Sequence, residues 1–129
     1  MKIYCATNSL SSIPASKLVN IIGKYLYSHI HNAQRYTKTG NSYELYIALI
    51  QQDEDSNEAP KKLMVSLNIT TYQNKLRINL IAHTPSEETL GYALFNPSNF
   101  DSLDDAREQI LRSMNKMLQS AYSKAVTLI

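Results

Sequence analysis

KLMVSLNITTYQNKLRINLIA, residues 62–82, decides the fold. Leu63, Val65, Leu67 and Ile69 alternate with Met64, Ser66, Asn68 and Thr70, the period of a strand whose two faces meet different surroundings. Tyr72-Gln73-Asn74-Lys75 interrupts the alternation with turn residues. Leu76, Ile78, Leu80 and Ala82 then resume it opposite Arg77 and Asn79. Two such runs separated by a short polar turn predict a hairpin of strands 63–71 and 76–83.

Working outward, Tyr43 to Gln52 repeats the period of two, with Tyr43, Leu45, Ile47 and Leu49 on one side and Glu44, Tyr46, Ala48 and Ile50 on the other. Both sides are rather apolar, which fits an interior strand or a partly covered second face. Gln52 to Pro60 is a polar, acidic connection. Leu90 to Phe95 reads as a further strand, ended by Pro97. Lys2 to Ala6 reads as a short strand before the first helix.

Two helix patterns bracket these strands. Ser11 or Ser12 can cap the first and Pro14 suits its first turn. Its apolar positions are Ala15, Leu18, Val19, Ile22, Tyr25, Leu26, His29, Ile30 and Ala33, three or four apart. The pattern predicts a helix that stops near Tyr36-Thr37, before Thr39-Gly40-Asn41. Ser102 is the expected N-cap of the last helix, with Asp104, Asp105 and Glu108 near its positive end. Leu103, Ala106, Ile110, Leu111, Met114, Met117, Leu118, Ala121 and Tyr122 form its apolar stripe. The β-prone tail Ala125–Ile129 is expected to add an edge strand or to pack on a partner. The expected fold is α+β in the order β-α-β-β-β-(β)-α. It is a two-layer sandwich of an antiparallel sheet of four to five strands with two long helices on one face. At 129 residues it is expected to be one domain.

Composition excludes little by itself. One cysteine, Cys5, cannot form an internal disulfide, and the start of the chain lacks an apolar run of secretory length; both suit a reducing, cytoplasmic compartment. No segment approaches the roughly 20 apolar residues of a membrane span. Net charge is only +2, but residues 1–43 hold Lys2, Lys17, Lys24, Arg35 and Lys38 and no acid, whereas the remainder carries eight basic and eleven acidic residues. Such an asymmetry steers polyanions or acidic proteins.

Patterns for chemistry are sparse. His29 and His31, two apart on a helix, face nearly opposite ways and do not share a metal, and no Cys-x-x-Cys or His-Glu-x-x-His pattern occurs. Serine elbows, phosphate loops and dinucleotide fingerprints are missing too, since Gly23, Gly40 and Gly91 stand apart. No cofactor is expected. Asp53, Glu54, Asp55 and Glu58 read as a solvated loop, and Asp101, Asp104, Asp105 and Glu108 as capping charges.

The sequence therefore points to a non-catalytic protein-binding or assembly module, forming a homo- or hetero-oligomer through a sheet face or edge. Tyr46, Ile50, Met64, Arg77 and Ile81 are the expected contacts, because aromatic, methionine and arginine side chains bury much surface while keeping directional contacts. The alternative is an RNA- or single-stranded-nucleic-acid-binding domain using a basic first helix. Lys17, Asn20, Lys24, Tyr27, His31, Gln34 and Lys38 would form its stripe, with Arg35 beside it. Lysines would meet phosphates and Tyr27 would stack on a base.

Overall fold

The computed structural model describes residues 13–51 and 61–128. Their order is α1 (Ala15–His29), β1 (Ala33–Thr39), β2 (Ser42–Gln51), β3 (Lys61–Tyr72), β4 (Lys75–Ala82), β5 (Thr89–Phe95), a 3-10 turn (Pro97–Asn99) and α2 (Leu103–Leu128). The five strands form one antiparallel meander, β1-β2-β3-β4-β5. The expected α+β sandwich, an antiparallel sheet of four to five strands with two helices on one face, is what the chain forms, with five strands.

The hairpin of residues 62–82 is the centre of the sheet. Leu67 pairs with Leu80, Ile69 with Ile78, and Tyr72 with Lys75. Gln73 and Asn74 take φ of 50° and 63°, the two left-handed residues of a type I′ turn, which matches the twist of the flanking strands. On the helix side, Tyr43, Leu45, Ile47, Val65, Leu67, Ile69, Leu76, Ile78 and Leu80 are almost fully buried. α1 covers them with Leu18, Val19, Ile22 and Leu26, and α2 with Ala106, Ile110, Met114 and Ala121. Burial of these side chains on both sides of one seam is the main stabilising term, about 1.5–3 kcal/mol for each large aliphatic group.

Gly23 brings α1 close to the sheet. A Cβ there would lie 2.3 Å from Cγ of Tyr43, so the ring occupies the space a side chain would need. At α2, Ser102 Oγ accepts the Asp105 N–H at 3.1 Å, as expected of the cap. Asp105 accepts from Gln109 Nε2 and from the Asp101 N–H. Those bonds, the Gln109 one foremost, hold its carboxyl below the ordinary carboxylate value.

Two expectations are corrected. The first helix does not run to Tyr36-Thr37. It ends at His29, Asn32 turns the chain at φ 66°, and Ala33–Thr39 is an edge strand. Asparagine tolerates this left-handed geometry, and Tyr36, Thr37 and Thr39 favour a pleated strand. Gly40, at φ 55°, opens the tight turn back into β2, as hairpin turns of the primed types require. The tail is not an edge strand, because α2 continues through Leu128. Between Tyr122 and that residue stands neither glycine nor proline to stop it. The expected strand Lys2–Ala6, the Ser11 or Ser12 cap, Cys5, Ile129 and the acidic loop lie outside the described residues.

Candidate functional site

The open face of the sheet is built by the alternate residues of the same strands. Register places Glu44, Tyr46, Ala48 and Ile50 beside Asn68, Ser66, Met64 and Lys62. Thr70, Asn68 and Ser66 then neighbour Arg77, Asn79 and Ile81, and Leu94 and Tyr92 of β5 flank Arg77 and Asn79. All five expected interface residues, Tyr46, Ile50, Met64, Arg77 and Ile81, therefore share this face. Both described helices lie on the other one.

The face has two chemically different zones. Around β1–β3 the polar groups are tied to one another. The Arg35 guanidinium lies 3.9 Å from the centre of the Tyr46 ring. Tyr46 donates its hydroxyl to Glu44, whose other oxygen accepts from Asn68 Nδ2 at 3.1 Å. The bond to Glu44, then burial, raises the Tyr46 pKa above 10.0. Ser66, a buried hydroxyl, meets His83 Nε2 at 2.6 Å, and the His83 ring lies 5.7 Å from that of Tyr46. Glu44 bonds Tyr46 and Asn68 rather than His83, and among the described residues no carboxylate is seen to align the His83 imidazole.

Around β3–β5 the surface is apolar and exposed. Tyr72 is 44%, Tyr92 55% and Leu94 41% exposed. Arg77 sits among them, its guanidinium 5.3 Å from the Tyr72 ring and its Nε donating to Thr70 Oγ1 at 3.3 Å. The sequence reading missed Tyr72, Tyr92 and Leu94. They could have been found by extending the alternation past Thr70 and pairing 90–95 against 76–81. The strand residues of the face carry Arg35, Lys62, Lys75 and Arg77 against one carboxylate, Glu44.

The basic stripe comes out differently from its expectation. Lys17, Asn20, Lys24 and Tyr27 do share one flank of α1, at spacings of three and four. Asn20 is half-buried there, with its side-chain oxygen unbonded among the described residues. His31 lies in the turn after the helix, and Gln34, Arg35 and Lys38 belong to β1. The early end of α1 is the reason. Register then sends Arg35 to the open face with Tyr46, while Tyr36 and Lys38 stay on the helix side with Leu45 and Tyr43. Tyr27 reaches the same place: its ring meets that of Tyr36 edge-on at 4.9 Å, and Tyr36 stacks on buried Tyr43 at 5.0 Å and 9°. Burial, followed by the neighbouring Tyr36 and Tyr27, raises the Tyr43 pKa.

Elsewhere, His29 stacks on Tyr25 at 4.0 Å, and its Nδ1 lies 2.8 Å from the Tyr25 carbonyl oxygen. A groove of about 700 Å³ runs between the end of α1, the end of β2 and α2, where the Tyr122 hydroxyl donates to the Ile50 carbonyl at 2.6 Å. Among the described residues, no three His, Cys, Asp or Glu side chains gather as a metal site would need. None of the described helices is long and apolar enough to cross a membrane. No family model, curated protein or solved structure matches the chain.

Proposed function

We propose that the protein is a non-catalytic binding module that takes a protein partner on the open face of its sheet. The observation that carries this reading is the exposed group Tyr72, Tyr92 and Leu94 around Arg77, on a face that neither described helix covers. Aromatic and arginine side chains grouped in this way are the usual anchors of a protein interface. Leaving an aliphatic and aromatic patch in water also costs about 25 cal/mol per Å² of apolar area, which covering it recovers.

Charge selects the kind of partner. Two copies meeting face to face would oppose Arg35, Lys62, Lys75 and Arg77 to the same set, and like charges at an interface cost affinity. A partner with an acidic rim around an apolar centre fits better. The polar zone around Tyr46 and Glu44 is already internally bonded, so it supplies orientation rather than new bonds.

The test is a pair of substitutions, Arg77→Glu with Tyr92→Ser, in protein immobilised for capture from extract. The double variant is expected to keep its circular dichroism spectrum and lose a partner that the parent retains. Retention of the same partner at the same salt concentration would remove the sheet face from consideration.

A further inference from the structure

We infer that the flank formed by α1 and β1 is a second binding surface, and that its ligand is single-stranded nucleic acid. It lies on the opposite side of the sheet from the proposed protein-docking face and does not depend on it.

Two features meet there. The first is a half-exposed aromatic platform. Tyr36 is 47% exposed and lies nearly parallel to Tyr43, at an interplanar angle of 9°. Tyr43 is fully buried against α1, and Tyr27 props the edge of Tyr36. One face of the Tyr36 ring is thus held by the stack, Tyr27 packs against it at a steep angle, and about half of the residue still meets solvent. A base stacking on such a ring gains the aromatic contact without ordering a loose side chain.

The second feature is uninterrupted positive charge. Lys38 sits on the same side of β1 as Tyr36, two residues along the strand. Lys17 and Lys24 stand exposed one helical repeat apart on the Tyr27 flank of α1. From Ile13 to Tyr43 no aspartate or glutamate occurs, and none of these three lysines makes an ion pair among the described residues. Residues seven apart on a helix are about 10 Å apart along its axis. Each lysine stem is long and flexible, so the ammonium groups can follow a phosphate backbone rather than fit one rigid anion.

The combination of a π-surface with spaced cations suits an unpaired strand. In a duplex the base faces are stacked inside, so Tyr36 would have nothing to meet. An acidic protein would use the lysines and leave the aromatic platform without a specific role. The arrangement gives no base-edge code, so binding is expected to tolerate sequence.

The test is fluorescence anisotropy with labelled oligo(U) and oligo(dT), against a duplex and poly-glutamate, over a range of salt. Single strands are expected to bind more tightly than the duplex. With three phosphate contacts, log affinity should fall with log salt at a slope of about −2. Tyr36→Ala should weaken binding roughly 5- to 100-fold, and Tyr36→Phe should restore most of it. Lys17, Lys24 and Lys38 changed together to alanine should abolish the salt dependence, whereas Lys116→Ala on exposed α2 should leave binding unchanged. All five side chains are exposed, so circular dichroism is expected to remain that of the parent. Failure to bind either single strand at low salt would overturn the inference. So would equal binding of poly-glutamate without dependence on Tyr36, or loss of binding on changing Lys62, Lys75 and Arg77 instead.

Discussion

The two faces of the sheet are made by the same strands and differ in almost everything else. On the helix side Leu45, Val65, Leu67, Ile69, Ile78 and Leu80 are sealed from water under α1 and α2. One residue further along each strand, Tyr46, Ser66, Asn68 and Arg77 form a surface of hydrogen bonds and ring contacts, bordered by exposed Tyr72, Tyr92 and Leu94. A strand's period of two lets one face hold the fold together and leaves the other free of that task. Substitutions on the two faces should therefore separate stability from binding.

The sharpest break is expected in the core. Leu67→Ala removes a fully buried side chain at the centre of the hairpin and should destabilise the protein by about 2–5 kcal/mol, read from the urea midpoint. Gly23→Ala comes next. The new methyl would push into the Tyr43 ring, and overpacking of this kind costs about 1–3 kcal/mol. It should also disturb the near-ultraviolet signal of the Tyr36–Tyr43 stack. Ser102→Ala removes the cap bond to the Asp105 N–H and should cost about 1 kcal/mol.

A pH titration sharpens the comparison further, since each face has one tyrosine with a raised pKa. Tyr43 is raised mainly by burial and Tyr46 mainly by its bond to Glu44. A raised value means the folded state holds the proton more tightly. The stability this gives is complete below tyrosine's ordinary 10.0 and is lost as pH rises through the folded values. Absorbance at alkaline pH should show Tyr43 and Tyr46 ionising above tyrosine's ordinary 10.0. Glu44→Gln should bring Tyr46 earlier and leave Tyr43 in place.

How much of this was legible in the sequence follows the same division. β2, β3 and β4 were readable because most of their inward residues are aliphatic: Leu45, Ile47 and Leu49, then Leu63, Val65, Leu67 and Ile69, then Leu76, Ile78 and Leu80. β1 was not, because Ile30 and Ala33 continue the helical spacing of α1 and nothing in β1 is fully buried. The contrary signal was Gly40-Asn41, a two-residue hairpin turn between β-prone neighbours, which outweighs a fading helix pattern. The α2 tail was misread from Val126 and Thr127, whose β preference is weak beside an unbroken helix. On the open face, Tyr46, Ile50, Met64, Arg77 and Ile81 fall together because the β2–β3 and β3–β4 registers keep the alternation in phase. Ser66 and His83 escaped notice because they are 17 residues apart in sequence and meet only as a diagonal pair across the β3–β4 ladder.

The smallest effect on stability belongs to the proposed docking surface. Tyr92→Ser with Leu94→Ser should shift unfolding by no more than about 0.5 kcal/mol per site, because both side chains already face water. Their effect should appear in partner capture instead.

The central claim, that the open face and not the helical layer receives the partner, is tested most directly by site-specific photo-crosslinking. A photoreactive residue is placed either at Tyr92 or at Lys116, which is exposed on α2. The account predicts one discrete protein adduct from position 92, abolished by Arg77→Glu, and none from position 116. The same adduct from position 116, or an adduct at position 92 indifferent to Arg77, would contradict it.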